Sequence, residues 1–169
     1  QGLKKRRTNT IGIIVPEIRH NFFASAISGI EDVTYKSDFT IMVCQSNEDY
    51  EREVINLRAM VSNRVAGLLV SLAQNTVDIS HFDILQKRSI PVVFFDRSSE
   101  KINQNQVVVD DYQGAFDAVS HLIARGYQKI AHIRGPENIS IGRDRYRGYL
   151  DALTKQGIPV NEKYIDNGG

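Results

Sequence analysis

Apolar and polar positions follow two alternating rhythms along the chain. Short, nearly unbroken apolar runs rich in β-branched residues recur at Thr10–Val15 (TIGIIV), Phe39–Cys44 (FTIMVC), Gly67–Leu72 (GLLVSL) and Ile90–Phe95 (IPVVFF). Val107–Val109 and Lys129–Ile133 (KIAHI) continue the series, and Tyr164–Ile165 begins a seventh run. Runs this continuous predict strands covered on both faces, as in a parallel sheet. Between them the apolar spacing widens to three or four. Phe23, Ile27, Ile30 and Val33 or Thr34 line one helix face, and Tyr50, Val54, Leu57 and Val61 line a second. Phe82 and Leu85 mark a short third helix. Ala115, Val119, Leu122 and Ile123 mark a fourth that stops at Gly126; Tyr146, Leu150 and Leu153 mark a fifth that stops at Gly157 with Pro159 beyond it. A glycine just past a periodic run, then a proline, is a helix stop.

Strands alternating with helices predict an α/β protein with a parallel, doubly wound sheet and right-handed crossovers. The polar stretch Arg97–Gln106 reads as a solvated loop. The first five strands make a complete small sheet by themselves, which puts a lobe boundary near Asp110–Gln113, with residues 10–111 before it and 112–169 after it. In such a sheet, ligands bind outside the carboxyl ends of the strands. That directs attention to Pro16–Phe23, Gln45–Asp49, Ser71–Gln74, Asp96–Ser98, Asp110–Tyr112 and Arg134–Arg145.

Composition narrows the picture. The 169 residues are 41% hydrophobic and 24% charged, which fits a globular domain and excludes collagen or a disordered tail. The single cysteine, Cys44, cannot form an internal disulfide, which fits a reducing compartment. Nothing is apolar enough for long enough to span a membrane. The net charge of +1 is uneven: residues 1–7 (QGLKKRR) hold four basic groups, leaving 17 basic and 20 acidic groups on the rest. The body is therefore not a nucleic-acid surface by composition, and the basic segment is a stub at its edge.

No catalytic signature is present: no GxSxG, HExxH, paired CxxC or Walker A. The four histidines lack metal-ligand spacing, so neither a metal nor a cofactor is expected. Asp110–Asp111 could be a phosphoacceptor or metal pair, but that reading needs acids after strand one and an Asp after strand three, where Glu17 is alone and Ser71 stands. A helix N-terminal pair favoured by the helix dipole is the simpler reading. His20 lies in the loop after strand one. Phe23 fits the buried stripe, which leaves Phe22 near the mouth of the site, where it can stack on the apolar face of a sugar or base. Asp96–Arg97 follows IPVVFF at the ligand edge; arginine's planar fork can donate paired hydrogen bonds and the carboxylate can accept from two hydroxyls. Arg143 and Arg145 stand before the fifth helix and, two apart, point in different directions.

Five segments together resemble the effector-binding core of LacI/GalR-type bacterial transcription regulators, a core similar to periplasmic sugar-binding proteins. They are TNTIGIIVPEIRHNFFASAISGIED, SNEDYEREVINLRAMVSNRVAGLLVS, IPVVFFDR, VVVDDYQGAFDAVSHLIARGYQKIAHIRGP and GRDRYRGYLDAL, in the family's order and spanning about residues 8–169. The resemblance implies a periplasmic-binding-protein type I-like fold. It implies that His20-Asn21-Phe22-Phe23 occupies the family's Asn-Pro-Phe-Phe position, with the aromatics stacking on the effector. It implies contacts from Ser71 after strand three, from Asp96 and Arg97, from Arg145 more than Arg143, and from Asp110. It implies no enzyme. It implies a cytoplasmic homodimer whose small, sugar-like effector, held between two lobes, alters the affinity for operator DNA. That DNA would be bound through a helix-turn-helix domain outside this sequence, with residues 1–9 as the end of its linker. The resemblance further implies a longer effector core than this chain, so that its second lobe is incomplete. A sugar receptor of a transport system is the alternative.

Overall fold

A computed structural model describes residues 8–168. Residues 1–7, most of the expected linker stub, lie outside the described residues. The chain divides into two compact units, Gln1–Val107 and Val108–Gly169.

The first unit is built from β1 (Thr10–Val15), α1 (Asn21–Tyr35), β2 (Thr40–Gln45), α2 (Tyr50–Ser62), β3 (Gly67–Val70), α3 (Asp83–Lys87), β4 (Val92–Phe95) and β5 (Asn105–Val107), with a 3-10 turn at Ser80–Phe82. All strand pairs are parallel, in the order β2-β1-β3-β4-β5. Side-chain alternation along β1 divides the core. Ile14 joins Leu57, Met60, Leu68, Val70, Leu85 and Phe94 on one face. Ile13 and Val15 join Phe23 on the other, where Ile27 and Ile30 of α1 pack against them. The sheet is thus covered on both sides, as its unbroken apolar runs require. On α1 the stripe ends with Thr34 half-buried, while Val33 is exposed.

Two elements differ from expectation. The strand beside β4 is Asn105–Val107, not Val107–Val109, and it pairs Val93 with Asn105 and Phe95 with Val107. All three of its residues are exposed, so backbone pairing rather than apolar content defines this edge. On α2 the buried residues are Glu53, Leu57 and Met60, whereas Val54 and Val61 are only half-buried. A carboxylate therefore stands where the apolar pattern suggested a neighbour.

The second unit has α4 (Asp111–Ala124), β6 (His132–Arg134), α5 (Ser140–Lys155) and β7 (Ile165–Asn167), with a 3-10 turn at Glu162–Tyr164. β6 and β7 form a two-stranded parallel sheet. Its core is Val119, Ile130, Tyr149, Ala152 and Leu153, and the buried Tyr149 hydroxyl donates to the Ile130 carbonyl at 2.9 Å. Gly148 lets α5 lie directly on α4: a Cβ there would collide with the Tyr112 carbonyl oxygen and crowd Phe116 N. The helix also starts well before Tyr146, so Arg143 and Arg145 lie inside α5 and not ahead of it. In its first turn Gly142 packs against the backbone of Gly135 and Pro136, where a Cβ would collide. Among the described residues, no helix is long and apolar enough to cross a membrane.

Candidate functional site

At the carboxyl edge of the first sheet, three residues hold left-handed backbone: Asn47 (φ 54°), Glu48 (φ 57°) and Asp96 (φ 59°). The other such non-glycine residues, Asp38, Arg64 and Ser89, follow the ends of α1, α2 and α3 and turn the chain toward the next strand. Those three have an ordinary helix-stop role. A left-handed non-glycine residue elsewhere persists only when its surroundings hold it there.

The surroundings are polar and specific. Arg97 Nη1 donates to both carboxylate oxygens of Glu48, at 2.7 Å each. Glu48 Oε2 also accepts the Gln74 N–H at 2.8 Å. Arg97 Nε is 3.9 Å from Asp96 Oδ2, and the Ser71 hydroxyl is 3.4 Å from that same oxygen. The guanidinium lies 5.9 Å from the centre of the Phe23 ring. The fold therefore brings Phe23, Ser71, Asp96 and Arg97 into one cluster. Ser71 is wholly buried and Phe23 nearly so, while Asp96 and Arg97 remain partly open. Phe22, 56% exposed, stands edge-on to Phe23 with ring centres 5.2 Å apart. His20 is exposed and contacts Glu17 at 2.8 Å. The Glu17 carboxyl is held below its usual range, chiefly by its hydrogen bond from Arg19.

Sequence reasoning passed over Glu48 as an individual residue, although its loop lies at the ligand edge. It also passed over Glu53, which is completely buried. Glu53 Oε2 accepts the Ala73 N–H at 2.8 Å; Oε1 accepts from the Thr76 hydroxyl at 3.0 Å and lies 2.9 Å from His81 Nε2. One helix side chain thus ties down the loop that follows β3. The signal that could have found it was a glutamate four residues before Leu57, on the buried side of the helix.

In the second unit, Asp110 caps α4 by accepting the Gln113 N–H at 2.8 Å, the helix N-terminal role its position suggested. Asp111 accepts from Arg145 Nε at 2.7 Å. Asp110, Asp111 and Arg145 line a shallow pocket with Val109, Gly114 and Ala115. Arg143 points elsewhere, 3.5 Å from Asp144.

A family profile described as periplasmic binding proteins and the sugar-binding domain of the LacI family matches residues 8–168. The chain belongs to this family. It is 35% identical over 170 residues to catabolite control protein A of Priestia megaterium, covering 99% of this chain and 50% of that protein. It is 31% identical to the transcriptional repressor PurR of Photobacterium profundum, again over 99% of this chain and 50% of the relative. The chain thus spans about half the length of the curated relatives it matches. Among solved structures, CcpA of Lactococcus lactis superposes with a TM-score of 0.85 at 26% identity, covering 96% of this chain and 59% of that one. A periplasmic binding protein/LacI transcriptional regulator from Alkaliphilus metalliredigens, complexed with D-xylulofuranose, superposes at 0.78 with 31% identity, covering 95% and 56%.

Within this LacI-type architecture, the first unit's cluster has defined chemical capabilities. Two carboxylates can accept hydrogen bonds from hydroxyls, and a guanidinium can donate to oxygens. Phe22 offers an exposed apolar face.

Proposed function

We propose that this chain is the effector-sensing part of a cytoplasmic LacI-type transcription regulator and not an enzyme. It takes a small polar molecule, a sugar or sugar derivative, that shifts the regulator's affinity for operator DNA. The observation that carries the reading is the convergence of Phe23, Ser71, Asp96 and Arg97 at the carboxyl edge of the sheet, in a chain that matches the family throughout. Asp96 and Arg97 contact the effector directly, Ser71 acts by holding Asp96, and Phe22 supplies the stacking face. His20, Asp110, Arg143 and Arg145 are proposed as further contacts, Arg145 ahead of Arg143. Residues 10–111 and 112–169 are proposed as the first lobe and the start of the second. The regulator is a homodimer, a state supported by the exposed apolar residues Val33 and Tyr35 on α1 and Ile55 on α2.

The test is a calorimetric screen of the full-length protein against sugars, sugar phosphates and purines. Arg97→Ala and Asp96→Ala should each weaken binding of the molecule found by about tenfold or more, the scale of one lost charge-assisted hydrogen bond. Operator affinity should change by about 5–150-fold on adding it. Unchanged binding in both variants would remove the site.

A further inference from the structure

The cation at the sheet edge is already answered from within the first unit. Glu48 presents both carboxylate oxygens to one nitrogen of Arg97, and the Gln74 N–H fixes one of those oxygens from behind. The carboxylate springs from a turn with left-handed backbone at both Asn47 and Glu48. Asp96 adds a second carboxylate beside the same guanidinium. Two carboxylates, those of Glu48 and Asp96, thus lie beside the Arg97 guanidinium, and all three groups are only partly accessible.

We propose that Glu48 sets the class of ligand: the site takes an uncharged polyhydroxyl molecule and rejects phosphorylated or carboxylated ones. An anion approaching Arg97 must displace Glu48, which is held by three hydrogen bonds, and then lie beside Asp96. Like charges at that range oppose each other, more strongly where water is partly excluded. A neutral polyol meets no such opposition. Its hydroxyl hydrogens satisfy Asp96 and Glu48, and its oxygens accept from the guanidinium fork. The inference rests on reading the Asp96–Arg97 edge as the effector site.

Two measurements on the full-length protein test it. In the first, inorganic phosphate is titrated against chloride at constant ionic strength, with thermal stability and heat as readouts. The wild type should not respond. Glu48→Gln, which keeps the shape and the acceptor for Gln74 N–H, should gain phosphate stabilisation, and adding Arg97→Ala should abolish it. An equal response in wild type and Glu48→Gln, or none in either, overturns the proposal. The second compares D-ribose with D-ribose 5-phosphate and D-glucose with D-glucose 6-phosphate by calorimetry. The wild type should prefer the neutral member of a pair by about tenfold or more, and Glu48→Gln should narrow that gap. Preference for the phosphorylated member overturns the ligand class while leaving the effector site in place. Binding of none of the four sugars, with the Arg97→Ala and Asp96→Ala variants equally silent, overturns the site and the class together. If Glu48→Gln does not fold, the wild-type sugar comparison decides alone.

Discussion

In the first unit a five-stranded sheet lies between helices, and its polar groups stand on strand ends. In the second, most burial lies between α4 and α5, and the two strands carry little of it. The difference shows in the two arginines. Arg97 lies two residues past β4, meets Glu48 and Phe23 from two other segments of its unit, and is mostly enclosed. Arg145 projects from a helix, is more than half exposed, and pairs with Asp111. The Asp111 carboxylate is nearly buried but its arginine partner is open to water, which screens the pair, whereas a group fixed by a rigid frame is ready to meet a ligand. The comparison teaches where preorganisation resides: in the first unit, at the edge of a covered sheet.

The sharpest way to break this contrast is to loosen the frame behind the edge. Glu53→Ala leaves the Ala73 N–H, the Thr76 hydroxyl and His81 Nε2 without their buried partner, and should cost about 3 kcal/mol. Urea unfolding followed by circular dichroism would measure it. A loss below about 0.5 kcal/mol would mean that the carboxylate is not part of the frame. A second change addresses the other unit. Gly148→Ala forces α5 off the α4 backbone and should cost about 2 kcal/mol. Hydrogen exchange should accelerate in α4 and α5 and stay unchanged in β1 and β3; acceleration in both units would mean that they unfold together.

The smallest effect concerns pH. Burial, and then the nearby positive Arg134, hold the His132 imidazole below its ordinary value. The unfolded chain therefore takes up a proton more readily, and stability falls as pH drops below about 6.5. Above about pH 7.5 both states are neutral at this site and the effect vanishes. His132 stacks on Tyr149 with ring centres 4.9 Å apart, so His132→Phe keeps a ring and removes the proton. Its melting temperature should fall less steeply between pH 7.5 and 5.5 than that of the wild type. Parallel slopes would exclude His132 as the source.

The first four strands and the helices were legible because their apolar spacing is itself the cause of their burial. β5 was misplaced because its position depends on backbone pairing with β4, and its own side chains face solvent. The start of α5 was missed because its first residues, Ser140–Arg145, carry no apolar stripe of helical spacing. At the edge, Asp96 and Arg97 were readable as a polar pair directly after an apolar run. Glu48 and Glu53 were not, since a glutamate in a loop or on a helix reads as solvated. Only the folded chain shows that both turn toward partners 20 or more residues away.

Those two carboxylates, with Asp49 capping α2 between them, come from one short stretch of chain. Together they grip Ala73, Gln74 and Thr76 in the loop after β3. The loop is thus not an independent module. A chimaera that exchanges residues 71–82 with those of a relative, to alter what the protein senses, must also carry residues 48–53 from the same donor. Otherwise the transplanted loop arrives without its moorings. In the divergence of such proteins, the two stretches are expected to change as one inherited block.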